Sequence, residues 1–423
     1  MLQVAYIREH KEAVIKGLQK KRLEDAEAMV EKALKLDEER RGCQKERDDA
    51  LAEANQTNRQ IGALMKEGKK DEAMAVRAKA GELKERSKTL ADRVTELEEE
   101  LKSLLYQIPN VPHESVPEGN GEDDNVVVYE KGEKPTLAED AKAHWDLIDQ
   151  YDIIDFELGN KVTGAGFPFY KGKGARLQRA LVSFFLDEAV DNGYMEVQPP
   201  IVINEASGIG TGQLPDKEGQ MYHIENHDFY LIPTAEVPIT NMYRDVILEE
   251  KDLPQKVAGF TPCFRREAGN WGAHVRGLNR LHQFDKVELV RIEKPEDSYQ
   301  VLDEMCAHVE GLLQKLELPY RKLLLCGGDI SFNAALCYDM EVWSAGQGRW
   351  LEVSSVSNFE NYQANRLKLR YRDGKQTRLL HTLNGSALAL PRILAAILEN
   401  NQTPEGIKIP KVLHKYTGFE IID

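Results

Sequence analysis

Residues 24 to 105 contain no proline and are dominated by Glu, Lys, Arg, Ala and Leu, and no other stretch narrows the possible folds so far. Strong helix formers without a breaker predict helix throughout. In the second half, Leu83, Leu90, Val94, Leu97, Leu101 and Leu104 are spaced 7, 4, 3, 4 and 3 apart, a heptad seam. A weaker stripe, Leu36, Cys43, Ala50, Ala54 and Ile61, runs along the first half. Between them Lys66-Glu67-Gly68-Lys69-Lys70 interrupts both stripes with charge and a glycine, so the chain can reverse there. The pattern predicts helices over about 24–66 and 70–105, paired as an antiparallel coiled-coil arm. At about 1.5 Å per residue each helix is on the order of 60 Å long. That exceeds what a small core needs, so the arm is expected to project into solvent.

Charge is unevenly placed on this arm. Residues 24–105 hold 17 basic and 21 acidic side chains, but the distal part, 59–93, holds 10 basic and 6 acidic. Two readings stay open: a solvated coiled coil with ordinary surface charge, or a lever whose basic tip touches a phosphate backbone. The whole 423-residue chain carries a formal charge of −15, so nucleic acid could be bound only through such a local patch. With 41% hydrophobic and 30% charged residues it reads as one to three globular domains rather than disorder. No apolar run approaches the roughly 20 residues of a membrane span. Met1 to Lys20 alternates charged and apolar residues, unlike a secretory signal. Cys43, Cys263, Cys306, Cys326 and Cys337 form no C-x-x-C pair, which argues against a disulfide framework or a cysteine zinc site and for the reducing cytoplasm.

From 106 to 135, Ile108-Pro109-Asn110, Pro112, Pro117, Gly119-Asn120-Gly121 and Asp123-Asp124 make a stretch that neither helix nor central strand tolerates. It reads as a linker between an N-terminal domain, 1–105, and a larger one, 136–423. The larger domain alternates short apolar strands (287–291, 323–325, 350–353) with helical runs (175–192, 387–399), a mixed α+β pattern. It lacks both G-x-x-x-x-G-K-[ST] and G-x-G-x-x-G, so a nucleotide would need another cradle.

The densest polar constellation runs from Phe264-Arg265-Arg266-Glu267 to Phe284-Asp285-Lys286-Val287-Glu288, with four arginines, three acids and three glycines. A strand, loop and returning strand would aim Arg265, Glu267, Phe284 and Glu288 into one cleft, since side chains two apart share a face. A guanidinium fork suits polyphosphate, and an aromatic can stack on a base. A salt-bridged hairpin with a core phenylalanine is the plainer alternative. Thr234-Ala235-Glu236 reads equally as a helix cap with a first-turn acid. His274 and His282 lack metal-ligand spacing and read as polar loop residues or contacts to an RNA end. Cys263 reads as a small core residue.

The constellation F-R-x-E, loop, R-x-x-x-F-x-x-x-E resembles the second signature motif of class II aminoacyl-tRNA synthetases. Upstream, Gly193 to Ile201 with Pro200 resembles the first motif, which builds a dimer interface in that class. Downstream, Leu383 to Arg392 and the apolar run after it resemble the third. With the long arm, Ile108-Pro109-Asn110, Thr234-Ala235-Glu236-Val237-Pro238, Glu352-Val353-Ser354-Ser355, Ser357-Asn358-Phe359 and Leu383-Asn384-Gly385-Ser386, the chain is most similar to the seryl-tRNA synthetase family of bacterial type, over almost its whole length. Ala387 and Ala389 stand where the general third motif has glycines, and Pro391 precedes its arginine.

The resemblance implies a catalytic domain built on an antiparallel β-sheet flanked by helices, preceded by the coiled-coil arm. It implies a serine–tRNA ligase, ATP-dependent and AMP-forming. L-serine and ATP would give seryl adenylate, and the seryl group would pass to the 3′-terminal ribose of serine tRNA, with selenocysteine tRNA a further substrate of the family. Arg265, Glu267 and Arg392 would carry catalysis. Thr234, Ala235, Glu236, Arg265, Glu288 and Ser386 would hold serine, with Glu288 reaching its hydroxyl. Arg265, Arg266, Glu267, Leu281, Phe284, Glu352, Val353, Ser354, Ser355 and Arg392 would bind ATP, with Glu352 and Ser355 as Mg2+ ligands. The arm would hold serine tRNA, and the enzyme would be a cytoplasmic homodimer without a membrane role. Two rivals stand beside this: a non-catalytic coiled-coil RNA-binding or scaffold paralogue, and an amino-acid:carrier-protein ligase. The intact acids and arginines weigh against the first and the long arm against the second.

Overall fold

A computed structural model describes residues 1–216, 219–267 and 276–423. The chain divides into two compact units: Met1–Gln19 with Leu23–Pro109, and Lys20–Arg22 with Asn110–Asp423.

In the first unit, helices α1 (Val4–Glu9) and α2 (Lys11–Lys20) precede two long ones, α3 (Ala26–Lys66) and α4 (Lys70–Leu105). Ion pairs Glu39–Arg93, Glu46–Arg86 and Glu53–Lys79 climb one helix as they descend the other, so the pair is antiparallel. Near its base the buried side chains are large, Val30, Leu36, Val94, Leu97, Leu101 and Leu104; further out they are Ala50, Ala54, Ala73 and Ala80. Asp37 is buried at the base under Arg8, Arg40 and Arg41, at 3.0, 2.9 and 2.9 Å.

The second unit is organised around an eight-stranded sheet: β1 (Val126–Lys131), β2 (Met195–Val197), β3 (Gln255–Phe264), β4 (Gln283–Glu293), β5 (Tyr320–Leu324), β6 (Leu336–Ser344), β7 (Arg349–Asn358) and β8 (His381–Ala389). The spatial order is β1-β5-β6-β7-β8-β4-β3-β2. All neighbours are antiparallel except β2 and β3. Helices α5 (Gly172–Asp191), α6 (Ser298–Lys315) and α7 (Leu390–Asn400) pack against it and supply much of the apolar core. Among the described residues no helix is long and apolar enough to cross a membrane.

Two sequence boundaries shift. Part of the stretch read as linker is built structure, because the β-branched run Val126-Val127-Val128 forms an edge strand, the position such a stretch can occupy. The helix expected from Ala387 begins at Leu390; Ala387–Ala389 finish β8, and Pro391 sits in the first helical turn, where its missing N–H costs nothing.

Candidate active site

Pleat parity sorts the β4 side chains. Asp285, Val287 and Leu289 face the helical side, where Gln178 of α5 donates to Asp285 at 3.0 Å. Phe284, Lys286 and Glu288 take the opposite face. Across the ladder Phe284 lies opposite Cys263 and Glu288 opposite Gly259, so Arg265, just past the end of β3, stands beside Phe284. Its N–H donates to the His282 carbonyl at 3.0 Å and its Nε to the Pro233 carbonyl at 3.4 Å. Its guanidinium carbon is 5.3 Å from the Phe284 ring centre. An extended arginine above an aromatic shelf offers a cation and a stacking surface side by side.

Glu267 takes a left-handed φ of 49°, fixed by Gln220, whose carbonyl accepts from the Arg266 N–H at 3.0 Å and whose side-chain oxygen accepts from the Glu267 N–H at 3.1 Å. The Glu267 carboxylate is ion-paired with Arg280, and Arg266 is exposed. Leu281 is buried in the core, so only its backbone can face a ligand.

The next cluster centres on Glu288, which is fully buried. Lys286 meets its Oε2 at 2.6 Å, and the hydroxyls of Thr234 and Ser386 donate to the same oxygen at 3.3 and 3.4 Å. Asn384 spends its two amide protons on two acids, Glu288 at 2.8 Å and Glu236 at 3.0 Å. Gln363 donates to the other Glu236 oxygen at 2.7 Å. Burial, then the neighbouring Glu288 charge, pushes the Glu236 carboxyl up to about 7, against the pull of Gln363, Lys286 and Arg265. The Thr234 oxygen accepts from the Glu236 N–H at 3.2 Å just before a short helix, Glu236–Asn241, whose N-cap is Ala235 rather than Thr234, while the hydroxyl proton goes to Glu288. Ala235 is buried beneath that turn.

At the far end, Glu352 and Ser355 are three residues apart, a spacing that ordinary alternation would put on opposite faces. The β6–β7 register shifts at Val353, with Glu341 opposite Glu352 but Met340 opposite Ser354, and this bulge returns both side chains to the open face. Val353 and Ser354 are buried, and the Ser354 hydroxyl donates to the Ser386 carbonyl at 2.6 Å. Asp339 lies opposite Ser355, and burial together with the Glu352 charge holds its carboxyl well above the usual range. Crowded acids beside a hydroxyl are an oxygen-rich set of the kind a hard divalent cation takes together with phosphate. Arg392, in the first turn of α7, donates to the Glu352 carbonyl at 2.7 Å and the Asn279 carbonyl at 3.1 Å.

Phe284, Glu288, Ser386 and Ser355 thus lie along one face of three neighbouring strands, with Arg265, Glu236 and Arg392 around them. The profile of the tRNA synthetase class II core domain (G, H, P, S and T) matches residues 221–401, and that of the seryl-tRNA synthetase N-terminal domain matches residues 1–112. The serine–tRNA ligase of Salinibacter ruber is 54% identical over 394 residues, 92% of either chain. The chain belongs to the seryl-tRNA synthetase family. The Akkermansia muciniphila serine–tRNA ligase is 48% identical over 100% of this chain and 99% of its own. Among solved structures, seryl-tRNA synthetase from Pyrococcus horikoshii complexed with ATP superposes with a TM-score of 0.94 at 37% identity, covering 100% of this chain and 99% of that one.

Lys286, Asn384, Gln363 and Gln220 join the site without having been among the residues the sequence singled out. Lys286 lies within the segment 264–288 and Asn384 within 383–392, and the shared parity of 284, 286 and 288 is the signal that puts Lys286 on the face of Glu288. His274 falls outside the described residues. His282 is held by the Tyr222 hydroxyl at 2.6 Å and stacks on Phe167 at 5.4 Å. Cys263 is wholly buried, which pushes its thiol up, as suits a core residue.

Proposed function

We propose that this chain condenses L-serine with ATP to seryl adenylate, releasing pyrophosphate, and passes the seryl group to the 3′-terminal ribose of serine tRNA. The observation that carries the reading is the convergence of Lys286, Thr234, Ser386 and Asn384 on Glu288, beside Arg265. A carboxylate must approach an α-phosphate although both are negative, so the first step needs a fixed cation and alignment rather than a nucleophile. Arg265 would bridge the two anions, Phe284 would carry the base, and Glu267, once it exchanges Arg280 for the ligand, would accept from the adenine amino group. Arg392 would meet the γ-phosphate. Glu236 would take the serine ammonium and Glu288 the hydroxyl. A pocket built to hydrogen-bond that hydroxyl rejects alanine, which would strand a buried acceptor.

Glu352 and Ser355 would hold Mg2+, with Asp339 behind them; when bound, the ion would neutralise phosphate charge. The basic distal arm would grip serine tRNA through phosphate and sugar, recognising shape rather than sequence, and the segment Gly193 to Ile201 would pair two protomers in a cytoplasmic homodimer.

The deciding experiment is ATP/pyrophosphate exchange with each of the twenty amino acids, followed by charging of total tRNA. Exchange with serine and charging of serine tRNA is the expected result. Exchange with another amino acid, or ATP binding without exchange, rejects the reading.

A further inference from the structure

The serine pocket holds two buried acids where a substrate brings one ammonium. Glu236 is 6% exposed and Glu288 0%, and one asparagine amide joins them. Left alike, either carboxylate would attract the α-ammonium, and serine could enter with its hydroxyl and amino group exchanged. They are not alike. Lys286, on the same strand face as Glu288, closes on Glu288 at 2.6 Å with 7% and 0% of the two side chains exposed. A lysine is rarely buried so fully without a task, and a buried ion pair is no reliable source of stability, since apolar residues of similar volume usually serve as well.

We propose that Lys286 tells the two acids apart: by neutralising Glu288 it leaves Glu236 as the anion for the serine ammonium and commits Glu288 to the hydroxyl. This rests on the serine-activating reading above. Lys286 acts through Glu288 and is therefore a positioning residue. The charge pattern is consistent around the pocket. Among the described residues, the charged and titratable groups facing the two acids are Lys286 on β4, Cys263 on β3, Arg265 just past its end, and each acid toward the other; β8 contributes the neutral Asn384 and Ser386. Two cations and two carboxylates balance, so a zwitterionic substrate adds no net charge to a buried site. Within that balance Lys286 answers Glu288, leaving Arg265 for the substrate carboxylate and Glu236 for the ammonium. Without Lys286, two buried carboxylates beside one another would share a proton, and neither acid would keep a defined role.

The test is exchange kinetics from pH 6 to 9 for Lys286→Met, Lys286→Arg and the double variant Lys286→Met/Glu288→Gln, with serine, alanine and ATP varied separately. Lys286→Met should raise the KM for serine more than about thirtyfold while the KM for ATP stays within about threefold, and should raise alanine use relative to serine more than about tenfold. Its acid limb should move up by about one pH unit or more, because the unneutralised pair holds a proton longer. Lys286→Arg should return the limb to the wild-type position, and so should the double variant, which removes the second acid along with the cation. Unchanged serine KM and alanine ratio in Lys286→Met overturn the proposal, as does an equal loss for serine and ATP with the limb unmoved, which marks a structural role. Should Lys286→Met fail to fold, the double variant decides: the proposal requires that it fold, bind ATP and admit alanine nearly as well as serine, and strict serine preference there overturns it. A wild-type enzyme that does not exchange with serine sinks the functional reading itself; one that does, with Lys286→Met indistinguishable from it, sinks only the role of Lys286.

Discussion

Glu236 links the chemistry of the site to pH most directly. Its carboxyl is pushed from an ordinary 4.5 up to about 7, by burial first and the Glu288 charge second. An ammonium is bound by the ionised form, so kcat/KM for serine should fall about tenfold per pH unit below the midpoint, with the KM for ATP nearly flat. Stability should move the other way. Between 4.5 and about 7 the folded chain holds a proton that the unfolded chain has released, so this group's contribution is greatest below 4.5 and is lost as pH rises through about 7. Urea midpoints of wild type and Glu236→Gln should therefore shift in favour of the variant from pH 5 to 8; a pH-independent difference would show that Glu236 titrates normally. Arg265 gives the complementary test, since among the described residues no buried ion pair depends on it: Arg265→Ala should lower exchange at least about a hundredfold with an unchanged melting temperature. Near wild-type exchange would remove it from the reaction. The shared face of Arg265, Phe284 and Glu288 was legible in the sequence because it follows from strand alternation at motif spacing. Parity placed Lys286 on that face too but not its pairing with Glu288, and nothing in the sequence spacing brings Gln363 to Glu236, because both contacts depend on how the side chains pack.

At the level of elements, regular periodicity and the charged break at 66–70 were readable, whereas irregularities within strands were not. The heptad seam fixed two helices and the alternation in 284–288 fixed a shared face, because both follow from one repeat length. The Glu352–Ser355 pair is different: a spacing of three on a strand argues against a common face, and only the bulge at Val353 reverses that. The helix expected from Ala387 was likewise delayed to Leu390 because β8 still pairs with β4 there, Ala389 lying opposite Lys286. If the bulge brings Glu352 onto the phosphate side, Glu352→Gln should raise the Mg2+ concentration for half-maximal exchange about tenfold or more, while leaving the KM for serine within about threefold. A change in serine KM alone, with Mg2+ dependence intact, would place Glu352 outside any metal set.

For the whole molecule, the division into two units carries its own prediction. Every residue proposed for serine or ATP, from Thr234 to Arg392, lies in the second unit, so exchange is expected to need no side chain of the first. The first unit offers a long helical pair whose distal charge, 10 basic against 6 acidic residues over 59–93, is opposite in sign to that of the whole chain. Buried side chains show where the arm can be cut. Val30, Ala33, Leu36, Val94, Leu97, Leu101 and Leu104 are buried at its base, whereas the buried residues further out, Ala50, Ala54, Thr57, Ala73 and Ala80, are small and contribute little apolar area. Replacing residues 43–90, which spares Leu36, Asp37 and Val94, with a short glycine-containing turn should therefore leave a folded protein whose serine-dependent exchange stays within about threefold of wild type, while kcat/KM for tRNA charging falls at least about a thousandfold. In the full-length protein, charging should weaken steeply with salt whereas exchange should not, because only the tRNA contact releases counterions. Exchange lost in a folded deletion would mean that the arm serves the adenylate step; charging retained would mean that the tRNA is held elsewhere.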